Sequence, residues 1–203
     1  MKERFRKAPV TFVLIALNVA VFVLETLAGG STKTRVALLF GAQATPLVEA
    51  GQYWRLVTAM FLHFGLTHLF CNMISLYNLG PAIEHVYGRW RYLVIYLAAG
   101  LAGNLTTWAL ETGSGDYAVS AGASGAIFGL FGAYVALALI PSMRQHLSLR
   151  GIMITLVLNV AYGLTYSNVN MAAHLGGLAG GAVIAAVMIL MIRARARRES
   201  SVE

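Results

Sequence analysis

The stretch "GASGAIFGLFG", residues 122–132, sets a hydroxyl between two glycines at the head of a run that is otherwise apolar enough for a lipid bilayer. Two questions follow from it: whether the rest of the chain also belongs in a membrane, and what Ser124 does where a polar group gains so little. The first is answered by composition. Of 203 residues 58% are hydrophobic and only 11% charged, with a mean hydropathy of +0.70, far from a soluble domain. Stretches of bilayer length, roughly 17 to 25 residues, fall at 8–28, 66–84, 90–110, 118–140, 151–167 and 170–192. The fold expected is therefore all-α: a six-helix transmembrane bundle over residues 8–192, with a basic cytoplasmic N-terminus at 1–7 and a basic cytoplasmic tail at 193–203. The first span follows "MKERFRK" but has a long apolar core and five spans after it, so it reads as an uncleaved helix rather than a signal peptide.

A net charge of +7 raises the question of nucleic acid, and the placement of the 15 Lys and Arg decides it. Lys2, Arg4, Arg6, Lys7, Arg89, Arg91, Arg144, Arg150, Arg193, Arg195, Arg197 and Arg198 all fall on one side of the expected spans. Only Lys33, Arg35 and Arg55 fall on the other. The positive-inside rule then puts both termini in the cytoplasm. The basic ends serve topology and attraction to anionic lipid, and nucleic acid is not an expected partner. Cys71 is the single cysteine, so there is neither an intrachain disulfide nor a cysteine-based zinc site. The long outer segment 29–63 carries Tyr53, Trp54 and Phe61, and is expected to lie partly in the outer leaflet, where amphipathic rings settle. Pro81, after Gly80, is expected to kink or end the second span, with Glu84 pairing with Arg89 or Arg91.

With this topology the second, fourth and sixth spans all start at the outer face, and their polar residues fall at one depth. His68 and Asn72 lie about one and two turns into the second span, Ser124 about two turns into the fourth and His174 about one turn into the sixth, each within roughly 6 to 10 Å of the outer surface. His68 and Asn72, four residues apart, share one helix face. Intramembrane histidines are costly and mark function by default. A single such histidine is often only a structural hydrogen-bonding partner, and a single serine often bonds its own helix backbone. Four at one depth are harder to explain that way.

In "AHLGGLAGG", residues 173–181, His174 shares a small-residue stripe with Gly177 and Gly181, and the fourth span offers Gly125, Gly129 and Gly132. Such stripes let two backbones approach closely, which would carry His174 toward Ser124. A larger side chain at Ala185, about two turns further toward the cytoplasm, is expected to be milder than one at Gly177 or Gly181 if the bundle splays there.

A serine hydroxyl becomes nucleophilic when a hydrogen-bonded base removes its proton, and imidazole is the usual base. Ser124 and His174 suit that pair. Donors for a tetrahedral oxyanion could come from the Ser124 backbone N–H, Asn72 and His68. No acidic residue lies at this depth, so the pattern is a Ser-His dyad without a third member. "GASGA" is not the elbow motif of α/β-hydrolases, and "HFGLTH", residues 63–68, lacks the glutamate and spacing of a zinc metalloprotease. No metal and no cofactor are expected.

The set "WR" (Trp54, Arg55), "HLFCN" (68–72), "GASG" (122–125) and "AHLGGLAGG" (173–181), in this order and on these spans, resembles the rhomboid intramembrane serine proteases over nearly the whole chain. The resemblance implies an endopeptidase that cleaves transmembrane segments of other membrane proteins near their outer ends. It makes Ser124 the nucleophile, His174 the general base and acid, His68 and Asn72 the oxyanion donors, and Gly122, Gly125, Gly177 and Gly181 supporting positions. Phe128 departs from the tyrosine that several bacterial members carry four residues after the serine; it keeps a ring for stacking on the imidazole and loses the hydroxyl. The implied setting is the bilayer of a bacterial plasma membrane. A non-catalytic rhomboid-like scaffold that binds transmembrane clients is the competing function, though it usually lacks the serine or histidine present here. A small transporter would need inverted repeats with broken helices, which the sequence does not display.

Overall fold

The computed structural model describes residues 6–140, 152, 154, 157, 159 and 169–200. The described chain is helical, with no named strand and one isolated antiparallel bridge between Gln43 and Ser120. Helix α1 spans Pro9–Leu27, α2 Thr34–Phe40, α3 Thr45–Glu49 and α4 Arg55–Thr58, followed by a 3-10 turn at Ala59–Phe61. The long helices are α5 Leu66–Tyr87, α6 Arg89–Glu111, α7 Ser124–Ala138 and α8 Met171–Ser200. Among the described residues three helical segments are long and apolar enough to cross a membrane, Pro9–Leu27, Arg89–Glu111 and Met171–Arg195; the pair Arg55–Phe61 and Leu66–Tyr87, bent by 90°, qualifies as a fourth when taken together. The expected fifth span, 151–167, lies outside the described residues except for 152, 154, 157 and 159, and residues 1–5 of the expected basic N-terminus lie outside them too.

Helix α1 begins with Pro9, whose missing N–H and fixed φ suit a first helical position. The next two backbone N–H groups are held by a different helix. Val10 and Thr11 donate to the two oxygens of Glu84 at 2.9 and 2.8 Å, and the Thr11 hydroxyl adds a third bond at 2.8 Å. A carboxylate here satisfies orphan donors and meets the positive end of the helix dipole. This corrects the expected pairing of Glu84 with Arg89 or Arg91: the buried carboxylate caps α1. Gly80 makes the approach possible, since a Cβ there would sit 2.6 Å from Thr11 Cγ2. Pro81 does not end α5, which continues to Tyr87. One residue, Gly88 at φ 78°, then closes α5 and opens α6.

Helices α6, α7 and α8 pack against one another along small residues. A Cβ on Gly177 would run into the Gly125 carbonyl, and one on Gly181 into the Gly129 carbonyl. Gly129 faces Ala99 of α6 as well, and a Cβ on Gly103 of α6 would lie 2.5 Å from the Ala173 carbonyl. Three backbones thus meet with almost no side chain between them. Below this seam Leu76, Ile83, Tyr92, Ile95, Tyr96, Ile127 and Leu130 form the buried core. The bundle does not loosen at Ala185. That residue is fully buried in the same core, and the Tyr87 hydroxyl donates to its carbonyl at 3.4 Å.

The outer segment 29–63 is folded on itself around Arg55. The guanidinium donates through Nη1 to the carbonyls of Leu38 and Ala42, both at 2.9 Å, and through Nε to Gln52 Oε1 at 2.7 Å, and it lies 4.6 Å from the Trp54 ring centre. Gln43 Nε2 donates to the Asn104 carbonyl at 3.0 Å, and Asn104 Nδ2 donates to the Leu56 carbonyl at 2.8 Å, docking the segment on α6. Leu39, Tyr53, Trp54 and Val57 remain exposed on its outside.

Two stability outcomes follow from these contacts. Glu84→Ala orphans two backbone donors and a hydroxyl, each costing about 1–3 kcal/mol when buried, so its melting temperature in detergent should fall well below that of the parent. Glu84→Gln, which keeps one acceptor oxygen, should fall less; equal melting of Glu84→Ala and parent would remove the cap from the account. Overpacking a tight seam typically costs about 1–3 kcal/mol, so Gly177→Ala should lower the melting temperature measurably and Gly177→Leu should lower it further.

Candidate active site

The segment ahead of Ser124 is not helical. Residues 118–123 run extended or turned, and α7 starts at Ser124 itself, which corrects the expectation of a serine two turns inside a span that begins at 118. Apolar Ala118, Val119 and Ala121 read as membrane helix by hydropathy, but the backbone here is committed elsewhere. Ser120 exchanges both backbone bonds with Gln43 at 2.9 Å, and Gly122 N–H donates to the Ala59 carbonyl at 2.9 Å. Ser124 is thereby delivered at the first helical position, where the backbone N–H groups of the first turn have no intrahelical partner.

Gly122 has φ 143°, which a side-chain-bearing residue rarely adopts. A Cβ on it would lie 2.8 and 2.9 Å from Cε1 and Nε2 of His68 and 3.6 Å from Ser124 Oγ. The missing side chain is the space into which the His68 imidazole reaches, next to the serine. His68 sits in the first turn of α5 and Asn72 one turn later, both buried, and Asn72 Nδ2 donates to the His68 carbonyl at 3.0 Å. His174, 6% exposed, lies in the first turn of α8. Its ring is stacked on Phe128, with centroids 4.1 Å apart and planes at 11°. Phe128 is one turn along α7 from Ser124, on the same helix face, so the stack holds the imidazole over that face.

A cavity of about 890 Å³ is lined by Ser124, His174, His68, Asn72, Gly122 and Gly125. The four polar residues named from the sequence therefore face one space, although they come from three helices. Phe128 adjoins the cavity through its stack on His174, while Gly177 and Gly181 lie in the seam that draws α8 onto α7. Asn170, Ser120, Asn104 and Glu111 also border the cavity.

Several residues around this site have no role in the sequence reading. His63 is fully buried, with its ring 5.1 Å from that of His68 at 67°. Its backbone N–H donates to Glu25 Oε2 at 3.2 Å, and Glu25, at the outer end of α1, is itself fully buried. The expense of a carboxylate near the end of an apolar helix was the available signal for Glu25. Asn170 bonds to Ser120, Thr107 and Ala173; an Asn just ahead of an apolar helical run is a recognisable cap pattern.

Comparison with known proteins agrees with this architecture. Residues 50–191 match the Rhomboid domain. The chain is 40% identical to the rhomboid protease GluP of Bacillus subtilis over 186 residues, which cover 90% of this chain and 35% of that protein. It is 31% identical to the rhomboid protease AarA of Providencia stuartii over 216 aligned positions, covering 94% of this chain and 76% of that protein. With RHOMBOID-like protein 5 of Arabidopsis thaliana it shares 37% identity over 74% of this chain and 48% of that one. The chain thus spans about a third of GluP and about three quarters of AarA. With a family domain matched over most of its length and apolar helices long enough to cross a bilayer, this chain is an integral membrane protein that belongs to the rhomboid family.

Proposed function

We propose that this chain is an intramembrane serine endopeptidase that cleaves transmembrane segments of other membrane proteins in a bacterial plasma membrane, with both termini cytoplasmic and the six spans expected from its hydropathy. The observation that carries the reading is the single cavity shared by Ser124, His174, His68 and Asn72, in a chain whose relatives include named rhomboid proteases. The exposed rings of Tyr53 and Trp54 support placing the outer segment partly in the lipid.

In this reading the His174 imidazole takes the Ser124 proton as Oγ bonds to the scissile carbonyl carbon. Negative charge that develops on the carbonyl oxygen is met by donors at the start of α7 and on α5: the Ser124 backbone N–H, Asn72 Nδ2 and His68. When the tetrahedral intermediate collapses, the C–N bond breaks and His174 returns its proton to the leaving amine. Water then attacks the acyl-serine by the same steps in reverse roles, releasing the new carboxylate. Phe128 orients the imidazole by stacking and donates no hydrogen bond. No metal or cofactor enters the reaction.

The test is a comparison of the purified protein, Ser124→Ala and His174→Ala on a single-span membrane substrate and on a serine-directed fluorophosphonate. The parent should cut the substrate and be labelled at Ser124, and both variants should lose cleavage and labelling. Labelling that persists in His174→Ala would remove the base from the dyad, and a parent that neither cuts nor labels would favour the scaffold function. Asn72→Ala should lower kcat by about 10²- to 10³-fold with an unchanged melting temperature. A collapse in melting temperature instead would make Asn72 an interhelical strut.

A further inference from the structure

The placement of His174 depends on where α8 begins, and one side chain at that point does more than a helix cap requires. Asn170 Oδ1 accepts the Ala173 N–H at 2.9 Å, and its backbone carbonyl accepts the His174 N–H at 3.2 Å. Those two bonds are ordinary capping, which an aspartate or serine supplies equally well. Asn170 also accepts at Oδ1 from the Thr107 hydroxyl of α6 at 3.1 Å, and its Nδ2 donates to Ser120 Oγ at 2.9 Å. Capping has no use for a donor. Here the donor reaches the segment that leads into the serine.

Ser120 is a rigid partner for that bond. Its backbone is paired in both directions with Gln43, whose side chain is fixed to the Asn104 carbonyl, and two residues later Gly122 is bonded to Ala59. Ser124 follows two residues after Gly122. On the other side, the same turn of α8 is pressed by α6, because Gly103 leaves no room for a Cβ beside the Ala173 carbonyl. Asn170 is therefore a direct hydrogen-bonded link between the segment that delivers Ser124 and the turn that carries His174.

We infer that Asn170, through Ser120, is a positioning residue that sets the reach between His174 and Ser124, an assignment that rests on the proteolytic reading above. It touches neither of the reacting atoms and acts by fixing the start of α8 against residues 118–123. A displacement of about 1 Å between catalytic groups can cost roughly 10²-fold in rate.

Three substitutions separate capping from bridging. Asn170→Ser keeps a capping oxygen but is too short to reach Ser120, so kcat on the single-span substrate should fall by about 10- to 100-fold with KM and melting temperature close to the parent's. Asn170→Asp keeps the cap and can accept a hydrogen bond from the Ser120 hydroxyl, so it should recover most of the rate. Ser120→Ala, which removes only the far end of the bridge, should repeat the loss seen in Asn170→Ser and decides the matter should Asn170→Ser melt early. Parent-like kcat in Ser120→Ala, a rise in KM alone, or an Asn170→Asp variant that melts normally without regaining rate would each overturn the inference. A readout that needs no turnover is the His174 Hε1 resonance in a Ser124→Ala background, displaced by the ring current of Phe128. It should move in Asn170→Ser and return in Asn170→Asp. An unmoved resonance overturns the positioning role whether or not the chain cleaves, whereas a resonance that moves in a protein without proteolysis overturns the proteolytic reading alone.

Discussion

The rest of the bundle depends on the bare contact between α7 and α8. Gly125 and Gly129 on one helix present carbonyls to Gly177 and Gly181 on the other, at a spacing that leaves no room for even a methyl group. In a bilayer, association of helices draws nothing from the removal of apolar surface from water, so close van der Waals approach and interhelical polar contacts have to supply it. This seam supplies the close approach, glycine against backbone. Because α8 follows α7 along a track of backbone, its height and rotation are tightly set, and His174, one turn before Gly177, comes to the face of α7 that carries Phe128 and Ser124. A seam built from leucines would admit small slips in register. A seam built from glycines admits fewer, because its walls are main chain.

A second constraint runs through the buried charges. Glu84 and Arg55 are each almost wholly buried, yet neither is matched to an oppositely charged side chain among its hydrogen bonds. Glu84 meets the N–H groups at the start of α1; Arg55 meets carbonyls of the outer segment. Each charge satisfies main-chain groups that regular structure leaves unpaired, where water would otherwise be needed. The buried charges thus act as stitching between segments. Glu84 joins α1 to α5, and Arg55 closes the outer segment whose Gln43 in turn holds Ser120.

What could be read from the sequence follows from what composition measures. Apolar length located α1, α5, α6 and α8 to within a few residues at most of their ends, because a bilayer makes hydropathy a direct constraint. It misjudged the start of α7, because Ala118, Val119 and Ala121 are as apolar in an extended segment as in a helix, and what commits the backbone there is the bonding of Ser120 to Gln43 and of Gly122 to Ala59. Glu84 was matched to the arginines nearest in sequence, whereas its partners lie 73 and 74 residues away. Ser124, His68, Asn72 and His174 stood out because polar groups inside spans are expensive. Asn170 and Ser120 did not, because polar residues at the border of a span are unremarked and only their mutual bond gives them meaning.

The turn at Gly88 has a consequence for how the chain assembles. A single residue joins α5 to α6, so these two helices meet as a hairpin with almost no loop to close. The clamp of Glu84 on Thr11 spans 73 residues and the bond from Tyr87 to Ala185 spans 98. Loop-closure entropy rises with the logarithm of separation, about 0.6 kcal/mol for each doubling. The α5–α6 pair is accordingly the cheapest tertiary unit to form, and it already carries His68 and Asn72 at one end and the cap for α1 at the other. Contacts that bring α1 and α8 onto this pair each close 73 residues or more of chain, so they carry the larger entropic cost.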